Sequence, residues 1–324
     1  MRKKTEMFPE IPVPPYTMAD TEIPTELFDP LPDEERLTDV INRPSISYWQ
    51  NAFIKIKNDK LAVAGFIFII FMVLVAVFVP LLSPYTYDGQ DYDAIYQLPN
   101  AKHLLGTDMF GRDVLVRIAY GARISLTIGI VTALVSLVVG VLFGGISGFF
   151  GGKVDMLMMR FVDVFSSVPS LLYSILLIMF MGPKMSSILI AICMTYWLSP
   201  ARQTRGQILS VKNQDFATAA KVVGESRGRI LLRHLIPNSF GPIIVTVTLL
   251  VPSAIFEEAF LSFIGIGIAV PVASWGTLAN DGMANMGMYP HLMLFPALAI
   301  SLTMFALNFI GDGLRDALDP RLKK

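Results

Sequence analysis

Glu257 and Glu258 are adjacent carboxylates that close an apolar run. An ionised acid without a partner is expensive in such a place, which makes both residues functional candidates by default. The competing reading puts one or both at an outer interface, held by a helix N-terminus or a basic side chain, and on residue types alone it stays open. Elsewhere the spacings assemble no reaction. The histidines are His103, His234 and His291; they form no H-E-x-x-H pair, and no G-x-S-x-G elbow occurs. Residues 147–154 come nearest to a phosphate loop but lack the opening glycine and the Ser/Thr after Lys153. Cys193 is the single cysteine, which excludes an intrachain disulfide and any Cys-rich zinc or iron–sulfur centre. The expectation is no catalytic residue, no cofactor and no metal: a chain that is not an enzyme.

Other spaced residues point to docking rather than catalysis. Residues 201–236 form a basic loop far longer than a membrane turn requires. In it Phe216, Ala219, Ala220, Val222 and Val223 suit a short amphipathic helix, and Gly224 is placed to end it. Such a helix makes a knob for a cytosolic partner, although a basic interfacial helix has the same pattern. A second cluster, Gly106, Asp108, Gly111, Arg112 and Asp113, closes a long Tyr-rich loop at 83–121; its glycines permit tight backbone and its charges can pair locally. A third segment, about 268–289, carries Trp275, Gly276, Asp281 and Gly282 in a turn-rich context.

The elements that position these residues follow from composition. Apolar residues make up 53% of the 324-residue chain and charged residues 16%, too few charges to clothe water-soluble cores. Lys and Arg number 26 against 26 acids, so bulk charge does not suggest a nucleic-acid partner. Uncharged runs at Leu61–Leu82, Ile124–Phe150, Val164–Pro183 (interrupted by Pro169), Met185–Pro200, Leu235–Phe256 and Pro290–Gly311 predict six membrane spans, the fourth being the shortest. Gly140, Gly144 and Gly148 recur every fourth residue in the second, a stripe that lets another helix approach closely.

Basic residues set the orientation. Most Lys and Arg fall in the N-terminal region, in the turn after span two, in the 201–236 loop and at the C-terminus. With six spans these all lie on one side, so both termini are expected to be cytoplasmic. MRKK is not followed by an apolar segment and is no cleaved signal. Residues 1–45, rich in proline and acids, read as a disordered cytoplasmic tail. Trp49, Phe53 and Ile56, with interleaved lysines, suit an interfacial helix before the first span, the two together covering 46–82. An extracytoplasmic loop at 83–121, a five-helix core at 122–315 and a cytoplasmic tail at 316–324 complete the expected organisation.

The loop also carries a resemblance. Thr218-Ala219-Ala220, three residues, Gly224, nine residues, then His234-Leu235-Ile236-Pro237 is similar to the EAA loop of permease subunits from binding-protein-dependent ABC importers. Thr218 stands where that pattern has Glu, and His234 and Ile236 occupy closing positions that are usually apolar. Leu105-Gly106-Thr107-Asp108, Gly111-Arg112-Asp113, and the stretch Glu258–Gly265 followed by Ser274-Trp275-Gly276 and Asp281-Gly282 resemble the C-type permeases of oligopeptide and dipeptide importers. The resemblance covers about residues 46–320.

The resemblance implies an all-α membrane protein with the type I ABC importer permease fold, six transmembrane helices and a cytoplasmic coupling helix. It implies half of a heterodimeric pore in the cell membrane, paired with a B-type permease, two cytosolic ABC ATPases that hydrolyse ATP, and an extracytoplasmic peptide-binding protein. Asp215, Thr218, Ala219, Ala220, Gly224, His234 and Pro237, within loop 212–237, would dock the ATPase, with Pro237 starting span five and stiffening the lever. Gly106, Asp108, Gly111, Arg112 and Asp113 would form the extracytoplasmic motif, and Glu258 and Trp275 a gate or a structural site. The alternative is a secondary transporter or channel independent of ATP. That class commonly uses coupling acids deep in its spans and repeated halves, and only Glu257 and Glu258 come close to the first requirement.

Overall fold

A computed structural model describes residues 48–318; the tail expected at 1–45 lies outside the described residues, as does the last part of the one expected at 316–324. Among the described residues the architecture is helical, with one isolated bridge between Thr107 and Asp113 and no strand. Helix α1 (Tyr48–Asn58) packs Ala52 and Ile56 against Val245, Leu314 and Ala317, and leaves Phe53 and Ile54 exposed. Asp59 then caps α2 (Lys60–Leu82), accepting hydrogen bonds from the Leu61 and Ala62 amides. Only a narrow face of α2, through Ala62, Gly65, Met72 and Ala76, is buried. The apolar remainder faces outward, the arrangement of a helix whose solvent is lipid.

Helix α3 (Val114–Phe150) has 37 residues and is thus about 55 Å long. It starts ten residues before the uncharged run, because the charges in its first turns are satisfied. Arg117 pairs with Asp108, and Arg123 donates to the Ala76 and Val77 carbonyls of α2. The glycine stripe of α3 lies against α7 (Leu198–Val211). A β-carbon on Gly144 would overlap the Ala201 carbonyl, and one on Gly148 would stand 2.9 Å from the Arg205 carbonyl. Backbones this close leave no room for side chains on α3.

Between them, α4 (Gly152–Ser166) and α5 (Ser170–Met181) meet at 75° across residues 167–169. Pro169 has no amide hydrogen to continue the ladder, so the run expected as one span at 164–183 straddles a bend. The run at 185–200 is likewise divided, into α6 (Met185–Tyr196) and the more polar α7, which carries Arg202 and Arg205. By length and composition four helices can cross a membrane (α2, α3, α9 and α11), or five if the bent α4–α5 pair counts as one. The expected count of six is therefore not reproduced, and the shortfall falls at 185–200.

After a short helix α8 (Asp215–Val222), α9 runs without a break from Arg227 to Phe263. Pro237 is inside it rather than at its start. The turn before it, Ile230–Leu235, widens to π geometry, and the Ile236 amide reaches back to the Leu231 carbonyl. Such widening relieves the clash of a proline ring with the carbonyl four residues earlier. Helix α10 (Trp275–Met283) opens with a reciprocal Ser274–Thr277 capping box. Helix α11 (His291–Leu318) closes the described chain and carries helix through residues expected to begin the tail.

Candidate functional site

Candidate residues gather at three places. At the first, α8 buries Ala217 and Ala220 in an apolar cluster with Ile208 of α7 and Ile230, Leu231 and Leu235 of α9. Its end is a Schellman turn: the Gly224 amide bonds the Lys221 carbonyl and the Glu225 amide bonds the Ala220 carbonyl. That turn needs the left-handed backbone Gly224 adopts, at φ +83°. Beyond it, His234 Nε2 lies 2.8 Å from Glu225 Oε2, tying the loop to α9. Lys212 Nζ donates to the Gly148 carbonyl at 3.0 Å, anchoring the approach to α8 on the end of α3. The helix is thus fastened to three long elements. Its other face, with Asp215, Thr218, Ala219, Val222 and Val223, is exposed, and each of the two valines is 82% accessible. Pro237 is exposed on α9, beyond the Glu225–His234 tie.

At the second place the residues turn inward. Asp108 accepts from the Phe110 and Arg112 amides and from Arg112 Nε at 2.7 Å, and it also pairs with Arg117. Asp281 of α10 joins from the other side, 3.5 Å from Arg117 and 3.9 Å from Arg112. Asp113 caps α3 through the Val116 amide and holds His103 Nδ1 at 2.9 Å. Arg112 also lies over the Phe110 ring. Asp108, Arg112, Asp113 and Arg117 are all at most 5% exposed. Burial holds the Asp281 carboxyl above the usual carboxylate range, against the pull of Arg117 and Arg112. Both motif glycines have positive φ, and a β-carbon on Gly111 would overlap the Asp91 carbonyl. Trp275, fully buried beside this network, donates Nε1–H to the Ile118 carbonyl at 3.0 Å.

The third place is the acid pair. Successive residues on α9 point to different neighbours. Glu258 is wholly buried and accepts from Ser125 of α3 at 2.8 Å and from Ser262 at 2.9 Å. Glu257 turns to the first turn of α5, where Ser174 donates at 2.7 Å and Ser170 at 3.3 Å. Hydroxyl groups hold both acids. Neither has a Lys or Arg in ion-pair distance among the described residues.

The structure brings Asp108, Arg112 and Asp281 into one network, joins His234 to the Gly224 turn, and keeps Glu258 away from both. Sequence reasoning did not single out Arg117, Glu225 or His103 as site members. Arg117 left a readable signal, a lone cation one helical turn past the capping Asp113. Glu225 left only its charge beside a glycine, because its partner is nine residues away and the bond exists only once α8 has folded back.

Comparison with known proteins gives a consistent set of likenesses. Residues 140–324 match the family described as binding-protein-dependent transport system inner membrane component. Residues 47–99 match the N-terminal TM domain of oligopeptide transport permease C. The chain is 44% identical over 302 residues to the oligopeptide transport system permease protein OppC of Bacillus subtilis (strain 168), covering 93% of this chain and 99% of that one. It is 45% identical over 304 residues to the dipeptide transport system permease protein DppC of the same organism, covering 94% and 95%. It is 44% identical over 277 residues to OppC of Escherichia coli (strain K12), covering 85% and 92%.

Proposed function

The chain belongs to the family of binding-protein-dependent transport system inner membrane components, and on that premise we propose that it is the C-type permease subunit of an ATP-driven peptide importer. In this reading it forms half of the translocation pore. A second, B-type permease supplies the other half, two cytosolic ABC ATPases supply the energy, and an extracytoplasmic binding protein delivers oligopeptides or dipeptides. Both termini then face the cytoplasm, with the exposed side of α8.

One observation carries the proposal: α8 is a short helix whose inner face is locked to the bundle and whose outer face is bare. Transmitting ATPase closure to the membrane demands a lever that moves with the spans rather than flexing against them. Ala217 and Ala220 packed on α7 and α9, the Gly224 turn, and the Glu225–His234 contact together supply that stiffness. The two valines offer an apolar surface to a groove on the ATPase. Asp215 and Thr218 flank it as polar contacts. The substrate passes between the two permeases, so its contacts are divided between chains.

The test is deletion of residues 218–224 from the chain expressed with its partners. ATP-dependent peptide uptake is expected to stop while the chain still inserts and still co-purifies with the second permease. Uptake that survives the deletion would refute the docking role of α8.

A further inference from the structure

Of the two acids on α9, Glu257 lines a cleft of about 380 Å³, with Ser170, Leu171, Tyr196, Ser253, Phe256 and Phe260 beside it and Met304 of α11 also on its wall. A neighbouring cavity of about 370 Å³ shares Ser170, Tyr196 and Ser253 with it, so the two adjoin. Each lies in the size range of small-ligand sites, and the walls are mostly apolar. The nearest cation on either cavity is Arg202, which is already paired with Asp163 at 3.0 Å.

Glu257 is 5% exposed. Ser170 and Ser174 donate to it, and the Tyr196 hydroxyl faces it. A carboxylate has about four acceptor positions, so these hydroxyls orient the group and leave capacity for another donor. A carboxylate withdrawn from water without a cation costs several kcal/mol. A positively charged group entering the cleft offsets part of that cost, less the cost of its own desolvation. The edges of the cleft suit the same visitor: Phe256 and Phe260 present aromatic rings that attract a cation over their faces. Glu258, by contrast, is wholly buried among Ser125, Ser262 and Ser274.

We infer that Glu257, oriented by Ser170 and Ser174, is a subsite for a primary ammonium group of the peptide cargo. The inference rests on the proposed function for its ligand class. It adds a named contact, and hence a charge requirement, to a pathway otherwise expected to grip peptide by its backbone. The ammonium comes either from the peptide's free amino terminus or from a lysine side chain, and the two sources are separable by experiment.

The experiment uses the complete complex in nanodiscs without binding protein, so that selection by that protein does not enter. A reporter thiol is placed at the cleft wall by Leu171→Cys in a Cys193→Ser background, and its rate of maleimide labelling is measured. Millimolar trialanine is expected to slow labelling about tenfold, N-acetyl-trialanine less than twofold, and Glu257→Gln is expected to abolish the protection. Glu257→Asp, which keeps the charge, should retain part of it, and co-purification of the partners checks that each variant is assembled. Protection restored by N-acetyl-Ala-Lys-Ala would show that a side-chain ammonium fills the subsite as well, and its absence would confine the subsite to the amino terminus. Equal protection by trialanine and its acetylated form, protection unchanged in Glu257→Gln, or no protection at all would overturn the inference. ATP-dependent trialanine uptake by the same complex with its binding protein separates the two claims. Uptake without protection removes the subsite alone; absence of uptake removes the importer reading beneath it.

Discussion

The segment at 105–117 and the segment at 215–237 are both short, glycine-punctuated and charged, yet they face opposite ways. In the first, Asp108, Arg112 and Arg117 are buried and pair with one another, with Asp281 at the far side, and buried Asp113 holds His103 and the Val116 amide. In the second, the buried residues are apolar (Ala217, Ala220, Ile230, Leu231, Leu235 and Ile236), while Asp215, Thr218 and the two valines stand in the open. The difference teaches that a motif's residue types do not reveal whether it serves its own fold or another molecule; the direction of the side chains does. The 105–117 segment uses its charges to fasten a long loop to α3 and α10. The 215–237 segment fastens itself by buried apolar residues and the Glu225–His234 tie, and leaves Asp215, Thr218, Val222 and Val223 uncovered.

Substitutions can break this contrast, and the largest effect is expected in the 105–117 segment. Asp108→Asn leaves buried Arg112 and Arg117 with Asp281 alone, 3.9 and 3.5 Å away, as their acid. Removing one member of a buried ionic set costs about 3–5 kcal/mol, so the variant should lose most of its monodisperse, protease-resistant fraction. A variant as resistant as wild type would show that the network is ornamental. Next is Gly224→Val, which forces a β-branched residue into the left-handed region at a cost of about 1–2 kcal/mol. Partial proteolysis should then open the 212–237 loop while the outer loop stays intact, and simultaneous loss of both would merge the two regions into one unit. His234→Ala removes the tie to Glu225, a loss of about 1 kcal/mol. Its expected signature is faster hydrogen exchange confined to residues 224–234. The smallest change in stability belongs to Val222→Ser, within about 0.5 kcal/mol, because the side chain touches little. Yet its effect on peptide-coupled ATP hydrolysis should exceed that of His234→Ala. An inert Val222→Ser would mean that the exposed face of α8 contacts nothing.

How much of this was readable in advance depended on locality. Apolar runs located the long helices because a membrane segment has to satisfy its backbone internally and its side chains meet lipid. The same reasoning saw the breaks only in part. Pro169 was visible as an interruption within one span, but the 75° bend it accompanies was not legible, and the junction at Trp197 has its breaker in Pro200, whose missing amide leaves the Tyr196 carbonyl without its helical donor. The start of α3 was misplaced by ten residues because Arg117 and Arg123 looked like loop charges; their partners, Asp108 and the α2 carbonyls, are remote contacts that a linear pattern does not display. Pro237 was placed at the start of span five and does open the regular α-helical stretch Ile236–Phe263, but the widened turn that joins this stretch to the helix from Arg227 was not legible. The glycine stripe of α3 signalled close packing, but which helix it receives came only from the fold. Glu258 is the acid that the resemblance marks as a gate or structural residue, and Glu257 is the one that lines a cleft. A rotation of about 100° between successive helical residues separates the acid that lines a cleft from the one that is sealed.

The account stands or falls on what touches α8. A photo-crosslinking amino acid placed at Val222, with Leu104 on the outer loop as the comparison position, would report this directly in native membranes, with captured proteins identified by mass spectrometry. Both residues are well exposed. Position 222 is predicted to capture a P-loop ATPase and position 104 is not. Capture of lipid alone at 222, or of the same ATPase at 104, would contradict the assignment of α8 as the helix that couples this permease to ATP.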